Sequence, residues 1–239
     1  MNKKRIYILS LSIIILAGIF LLLNINVSTK QGINYELRTI RIPVYLKILN
    51  FFDRHYNYKE LTKKIIDGSK TEQEHAEKIF IWTYKNLKRV PPGYPIIDDH
   101  VWHIIVRGYG TNDQFSDVFT TLCNYAGIDA FFLWIYAKDN KIRPIPLSFV
   151  RLEKRWHVFD PYQGAYFKDK EGNFIDVGII KQGSWVIEML GDRTDEIDYS
   201  VYLGNLPEIS KIGLTRANIQ SPLKRLFFEF KKVVKCRTN

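Results

Sequence analysis

The fold is set by residues 108–134, which read GYGTNDQFSDVFTTLCNYAGIDAFFLW. A glycine-rich turn leads into a segment whose apolar residues recur at i, i+3, i+4 and i+7, and this spacing predicts an amphipathic helix that ends at Gly127. The apolar face consists of Phe115, Val118, Phe119, Leu122, Cys123 and Ala126. Two alternating, strand-like runs follow, and the second, LSFVRLEKRWHVFDP at 147–161, closes on an Asp-Pro pair.

This order of elements resembles the core of the transglutaminase-like superfamily, a papain-related fold with a Cys-His-Asp triad. The helix before the core adds to the resemblance, since Trp82 and Asn86 form W-x-x-x-N and Pro-Pro-Gly follows at 91–93. The resemblance covers roughly residues 71–175. It implies an α+β fold in which helices pack on a small antiparallel sheet, in the papain-like manner.

The resemblance also assigns the three catalytic positions. In the family the Cys opens the core helix about fifteen residues before a Gly-Ile pair, so its position here is Asn112. The Asp of the family's W-x-x-x-D motif is Asp160, and the His position falls at Ile145. Because a Cys nucleophile needs a thiolate and a neighbouring His, the replacements imply a domain without catalysis. Activity through other residues, as a hydrolase or acyltransferase, and a purely structural module remain the alternatives.

A shallow cleft is predicted to persist where the active site would lie. Its candidate binding residues are Asn112, Asp113, Trp156 and Asp160. Asn and Asp are also ordinary N-cap residues, so simple capping of the helix is the competing interpretation of residues 112–114.

Two residues invite a catalytic interpretation, and the sequence argues against both. Cys123 lies on the apolar face of the core helix, where it is expected to be a small buried side chain. His157 lies one residue from Trp156 on a predicted strand, so it is expected to point to the other side from Trp156 and Asp160.

Metal, cofactor and nucleic-acid sites are not predicted. Asp98, Asp99, His100 and His103 precede the glycine-rich turn, but their spacing is not a recognised ligand pattern. Phosphate-loop and RNA-binding signatures are absent from the sequence. A net charge of +10 suits an anionic partner, whether a membrane surface, an acidic glycan or nucleic acid, and charge alone does not choose among them. The remnant cleft is expected to bind a protein or a cell-surface polymer.

The N-terminus predicts a membrane anchor at residues 6–25. No charged residue occurs between Ile6 and Thr29, and such a run is long enough to cross a hydrocarbon core of about 30 Å. Lys3, Lys4 and Arg5 precede it and favour a cytoplasmic N-terminus, which predicts a single-pass protein with its domain outside the cytoplasmic membrane. A cleaved signal peptide is the alternative, although no A-x-A site follows the run.

The whole chain is predicted to consist of four parts: an anchor at 1–29, a linker and helical lead-in at 30–70, the core at 71–190 and an extension at 191–239. The lead-in is predicted to hold a polar linker at 31–39 and two helical pieces at 44–52 and 56–66. In the core, Thr71 is predicted to cap a helix with Glu74 as its capping-box partner, and a hairpin is predicted to pair 162–167 with 173–177.

The extension is predicted to hold an acidic loop at 192–198 and a final basic, amphipathic helix from Pro222. This helix places Leu223, Leu226, Phe227, Phe230, Val233 and Val234 on one side. Anionic lipid and the domain itself are the two surfaces against which that side is expected to pack.

Overall fold

Two compact units make up this chain, and the computed structural model describes residues 3–33, 36–98, 100–139, 141–191, 197–209 and 215–237. The first unit comprises Met1–Arg54 and Ile97–Asp99, and the second comprises His55–Ile96 and His100–Asn239. Residues 192–196 of the predicted acidic loop, and Asp99 of the possible metal cluster, lie outside the described residues.

The first unit begins with a long apolar helix, α1 (Lys3–Leu23). Its large side chains are solvent-exposed, and in the part of the chain that the structure describes it is the one helix long and apolar enough to cross a membrane. A signal sequence would satisfy the same criterion.

A β-hairpin follows α1. Strand β1 (Asn26–Ile33) pairs antiparallel with β2 (Glu36–Pro43), from Asn26 opposite Pro43 to Ile33 opposite Glu36. The linker predicted at 31–39 is therefore wrong, since strand residues occupy most of it. The polar composition of residues 31–39 did not indicate strands, because β2 is largely solvent-exposed and lacks the alternation of a half-buried strand.

Helix α2 (Val44–Ile65) is one continuous helix. The two separate pieces predicted at 44–52 and 56–66 are therefore wrong. Asp53, Arg54 and His55 interrupt the apolar pattern between them without breaking the backbone helix, since none is a strong helix breaker.

The second unit contains the other helices. They are α3 (Glu72–Asn86), α4 (Val101–Arg107), α5 (Asn112–Tyr125), α6 (Val177–Lys181), α7 (Ser200–Leu203) and α8 (Pro222–Arg237). The cap of α3 is as predicted, because the Glu74 N–H donates to Thr71 Oγ1 at 3.1 Å. A 3-10 turn at Asn218–Gln220 precedes α8.

A five-stranded antiparallel sheet forms the centre of the second unit. Its strands are β5 (Ala130–Ile135), β6 (Ile145–Leu152), β7 (Arg155–Asp160), β8 (Ala165–Lys168) and β9 (Val186–Met189), in that spatial order. The hairpin predicted between 162–167 and 173–177 is wrong in its second strand. Phe174 makes a single bridge to Lys168, and β9 is the strand that pairs with β8.

Each face of the sheet carries its own hydrophobic cluster. Helices α3, α4 and α5 cover one face, where Phe119 packs between Phe80 and Phe159 with ring centroids 5.6 and 5.4 Å away. Leu147, Phe149 and side chains from α6 and α7 form the second cluster. This arrangement confirms the predicted α+β fold, with helices packed on a small antiparallel sheet.

Candidate functional site

The glycine-rich turn at 108–110 leads directly into α5. Two short parallel strands, β3 (Lys88–Arg89) and β4 (Tyr109–Gly110), hold this turn. A β-carbon on Gly110 would lie 2.9 Å from Gln114 Oε1 and 3.3 Å from Ile104 Cγ2. Glycine is therefore favoured at 110, because the Gln114 side chain folds back over it and would have to shift to make room for a β-carbon.

Thr111 caps α5, and Asn112 is the first residue of the helix. The Thr111 N–H donates to Gln114 Oε1 at 3.2 Å, as in a capping box, and the Thr111 hydroxyl donates to Asp113. The Asp113 N–H donates to Asn112 Oδ1 at 2.9 Å. The capping predicted for Asn112 or Asp113 thus falls to Thr111, and both predicted side chains are half-buried at the helix start.

Asp160 ends β7 as a buried carboxylate with three donors. Its Oδ2 accepts from the Tyr199 hydroxyl at 2.8 Å, and its Oδ1 accepts from the N–H groups of Tyr162 and Gln163, both at 3.1 Å. Burial raises the pKa of Asp160 to about 6, although these donors and the charge of Arg89 lower it. Tyr199, not an imidazole, is therefore the side-chain donor to this carboxylate.

The turn that follows Asp160 packs against the start of α5. Arg89 Nη2 donates to Gln163 Oε1 at 2.8 Å, and the Arg89 guanidinium lies 4.7 Å from the centroid of the Tyr162 ring. The Tyr162 ring in turn meets Phe115, in the first turn of α5, edge to face with centroids 5.1 Å apart. These contacts tie β3, the turn after Asp160 and α5 into one cluster.

The predicted His position lies at the same end of the sheet. Because β6 and β7 are antiparallel, β6 begins with Ile145 at the end where β7 finishes with Asp160. Ser148 of β6 pairs with Phe159 of β7. In this antiparallel register the preceding residue of β6, the fully buried Leu147, lies opposite Asp160. The structure therefore brings the start of α5, the start of β6 and Asp160 to one end of the unit.

Trp156 and His157 lie away from that end. Trp156 precedes Asp160 by four residues in β7, which separates them by about 13 Å along the strand. The Trp156 ring packs on Phe131 with centroids 5.2 Å apart. His157 Nδ1 lies 3.0 Å from the Ile175 carbonyl oxygen, and burial lowers the pKa of this imidazole.

Cys123 is fully buried in the middle of the cluster beneath α5. Burial raises the pKa of its thiol far above the ordinary range, so a thiolate does not form at physiological pH. Cys123 therefore packs as a small hydrophobic side chain.

The histidines before the glycine-rich turn pack on each other. His100 precedes α4, and its ring meets that of His103 with centroids 5.4 Å apart. Among the residues that the structure describes, His, Cys, Asp and Glu side chains form no group of three or more suited to a metal ion.

Sequence reasoning missed Arg89, Tyr162, Gln163 and Tyr199. The Asp-Pro-Tyr-Gln-Gly sequence at 160–164 was an available signal, because Asp followed by Pro and Gly is typical of a turn whose N–H groups bond the Asp carboxylate. Tyr199 offered no local signal, since 39 residues separate it from Asp160.

Three solved structures are similar to this chain. A candidate protease from Parabacteroides distasonis is 14% identical over 63% of this chain and 40% of that one, with a TM-score of 0.35. A candidate cysteine protease from Cytophaga hutchinsonii is 16% identical over 56% and 46%, with a TM-score of 0.40. A TGase is 14% identical over 56% and 43%, with a TM-score of 0.35.

In each case the match spans less than half of the other protein. No curated protein matches this chain in sequence.

A family model matches the sequence itself over residues 59–186, which is just over half of the 239 residues. The match includes the turn before α5, the whole of α5 and strands β5 to β8. This model describes the transglutaminase-like superfamily, which is the family that the core helix and the W-x-x-x-D motif resemble. The chain belongs to the transglutaminase-like superfamily.

Proposed function

We propose that this protein is a non-catalytic member of its superfamily, which binds a protein or a cell-surface polymer at the remnant of the active site. The observation that carries the proposal is the start of α5, where the family's pattern places a Cys and this chain has Asn112. An Asn side chain cannot be deprotonated to a nucleophile and cannot form a thioester. Ile145, at the position assigned to the His, cannot transfer a proton.

Two further features support this proposal. Cys123 is enclosed on all sides, so it offers no replacement nucleophile. The Asp160 carboxylate already accepts from Tyr199 and from two backbone N–H groups, which makes it a structural group of the turn. The start of α5 keeps two polar, half-buried side chains, Asn112 and Asp113, close to Phe115, which packs on Tyr162. These two polar side chains would contact the ligand.

Helix α1 supports a tether to the cytoplasmic membrane. Its 21 residues match the roughly 20 that a hydrocarbon core of about 30 Å requires. Basic residues precede the apolar run and favour an N-terminus inside, so the domain would act outside that membrane, in the cell envelope. Mass spectrometry of the protein from cells tests the tether. An intact N-terminus supports it, and a chain that starts near residue 26 would instead identify a removed signal sequence.

Catalysis is tested by looking for the covalent intermediate. The purified full chain is incubated with a glutamine-containing peptide and with a peptide ester, and its intact mass is measured. We expect no acyl adduct in the native protein. An adduct that maps to Cys123 and disappears in Cys123→Ser, with the fold preserved by circular dichroism, would overturn the proposal.

Binding is tested with two matched charge reversals. Asp113 accepts from the Thr111 hydroxyl at the start of α5, and Asp139 accepts from the Lys141 N–H on an exposed loop. Asp113→Arg and Asp139→Arg therefore change net charge equally and each remove one local acceptor. We expect Asp113→Arg to lose retention on isolated cell-envelope material and Asp139→Arg to keep it. Equal retention of the two variants would place the binding surface elsewhere.

A further inference from the structure

The C-terminal helix α8 exposes an apolar face to solvent. Leu223, Leu226, Phe227 and Phe230 recur at i, i+3, i+4 and i+7, and they are 79%, 69%, 53% and 66% exposed. Large aromatic and aliphatic side chains at this spacing usually lie on a hydrophobic surface, since their exposure costs free energy. We call these four residues the apolar face of α8.

The domain does not cover this face, since all four of its residues are more than half exposed. Phe228 and Glu229, which point away from the apolar face on the helical wheel, are the half-buried residues between Leu223 and Lys231. The segment before α8 is fastened to α5: the Tyr125 hydroxyl donates to the Gln220 carbonyl at 3.0 Å, and Asn218 Nδ2 donates to Asn124 Oδ1 at 2.6 Å. The start of α8 is therefore fixed while its apolar face remains open.

Basic side chains border the apolar face. Lys224 and Lys231 lie along one edge of it, and the Lys231 ammonium is 4.7 Å from the centroid of the Phe227 ring. Glu229 is neutralised by Arg225, whose guanidinium lies 2.7 Å away. From Pro222 to the end of the sequence there are six basic residues and one acidic residue.

We propose that α8 lies in the interface of an anionic lipid bilayer, with its apolar face among the acyl chains and its Lys and Arg residues at the lipid phosphates. A helix with Leu and Phe on one side and Lys on its edges has the composition of interfacial helices. A second copy of α8 fits this face less well, because an antiparallel pair would bring Lys224 and Lys231 of both helices to the same edge, and a pair in either direction leaves the excess of basic residues without anionic partners. The inference is independent of any ligand at the start of α5.

The test uses the full chain reconstituted into lipid nanodiscs. An environment-sensitive fluorophore is attached through Leu226→Cys in a Cys236→Ser background, and a second sample carries it at the exposed Lys181 of α6 through Lys181→Cys. We expect the label at 226, and not the label at 181, to emit at shorter wavelength and to be quenched by nitroxide lipids in anionic discs. Raising the salt from 0.1 to 1 M, which shortens the Debye length from about 10 to about 3 Å, should weaken both effects.

Charge reversal separates lipid attraction from a general effect of net charge. Lys224→Glu with Lys231→Glu should lower the ratio of bound to unbound helix at least about 25-fold, from roughly fivefold per charge near an anionic surface. Lys170→Glu with Lys181→Glu alters net charge by the same amount at exposed sites and should leave that ratio unchanged.

Three results would overturn the proposal. Insensitivity of the label at 226 to lipid would mean that the apolar face does not reach the bilayer. Equal responses in anionic and uncharged discs would remove the role of the basic edge. A short-wavelength emission that persists in detergent, without quenching by nitroxide lipids, would show that the face is covered by protein.

Discussion

Replacing Tyr199 with Phe tests whether Asp160 is a buried structural carboxylate. The substitution keeps the ring, which packs on Phe167 in the second cluster, and removes the hydroxyl that donates to Asp160 Oδ2 at 2.8 Å. Both side chains are about 96% buried, so water cannot readily replace the lost donor. Hydrogen bonds to charged groups contribute about 1.5–3 kcal/mol, against about 0.5–1.5 kcal/mol for neutral pairs.

The cost of this substitution should depend on pH. Burial raises the pKa of Asp160 from its ordinary 3.8 to about 6, so the folded protein holds this proton more tightly than the unfolded chain. The stability from Asp160 is therefore fully present below pH 3.8 and is lost as the pH rises through 6, by about 3 kcal/mol in all. Because Tyr199 stabilises the ionised form, we expect Tyr199→Phe to cost about 2 kcal/mol at pH 8 and about 1 kcal/mol at pH 5.

Tyr202→Phe provides the matched control. The Tyr202 hydroxyl donates to the Arg143 carbonyl oxygen at the same 2.8 Å, but its acceptor is neutral. Its loss should cost about 1 kcal/mol at both pH values. The free energy of unfolding is measured by urea titration with tryptophan fluorescence in mild detergent. Equal, pH-independent costs for Tyr199→Phe and Tyr202→Phe would refute the assignment of an ionisable, buried Asp160 to this bond.

Three other changes have expected outcomes. Cys123→Ser should lower the free energy of unfolding by about 1–3 kcal/mol, since it buries a hydroxyl, while native Cys123 should resist alkylation until the protein unfolds. Gly110→Ala should cost about 1–3 kcal/mol through its contact with Gln114, as measured by urea titration, whereas Gly204→Ala, which meets open space, should be neutral within about 1 kcal/mol. Deleting residues 1–25 should yield protein that stays in solution without detergent on ultracentrifugation, and a sedimenting product would contradict the proposal that α1 is the membrane-spanning anchor. Deleting 1–29 would also remove the first residues of β1.

Local pattern was sufficient for the elements that build the core. The i, i+3, i+4 spacing from Phe115 to Ala126 predicted α5, and the alternation around Trp156 predicted β7. Both succeed because each element packs one face on a continuous core, which imposes its period on the sequence. The hairpin β1–β2 was missed because it lacks such a face.

Contacts between distant residues could not be predicted in the same way. The family's spacing led to Asp160, but nothing local indicated that Tyr199 would supply its third donor. The position of Arg89 depends on the parallel pairing of β3 with β4, a two-residue contact that leaves no periodic signal. The sequence left two surfaces open for the apolar side of α8, anionic lipid and the domain itself. Phe227 and Phe230 are exposed in the structure, so the domain does not cover them.

Two substitutions test whether Asn112 and Ile145 stand at the positions of the family's Cys and His. In a Cys236→Ser background, the thiol pKa of Asn112→Cys is measured from the pH dependence of iodoacetamide alkylation, with and without Ile145→His. We expect the added imidazole to lower this pKa by about 1–3 units, because a protonated His beside a thiol stabilises the thiolate. An unchanged thiol pKa, in a variant that remains folded, would show that the two positions do not face each other and are not those of the family's Cys and His.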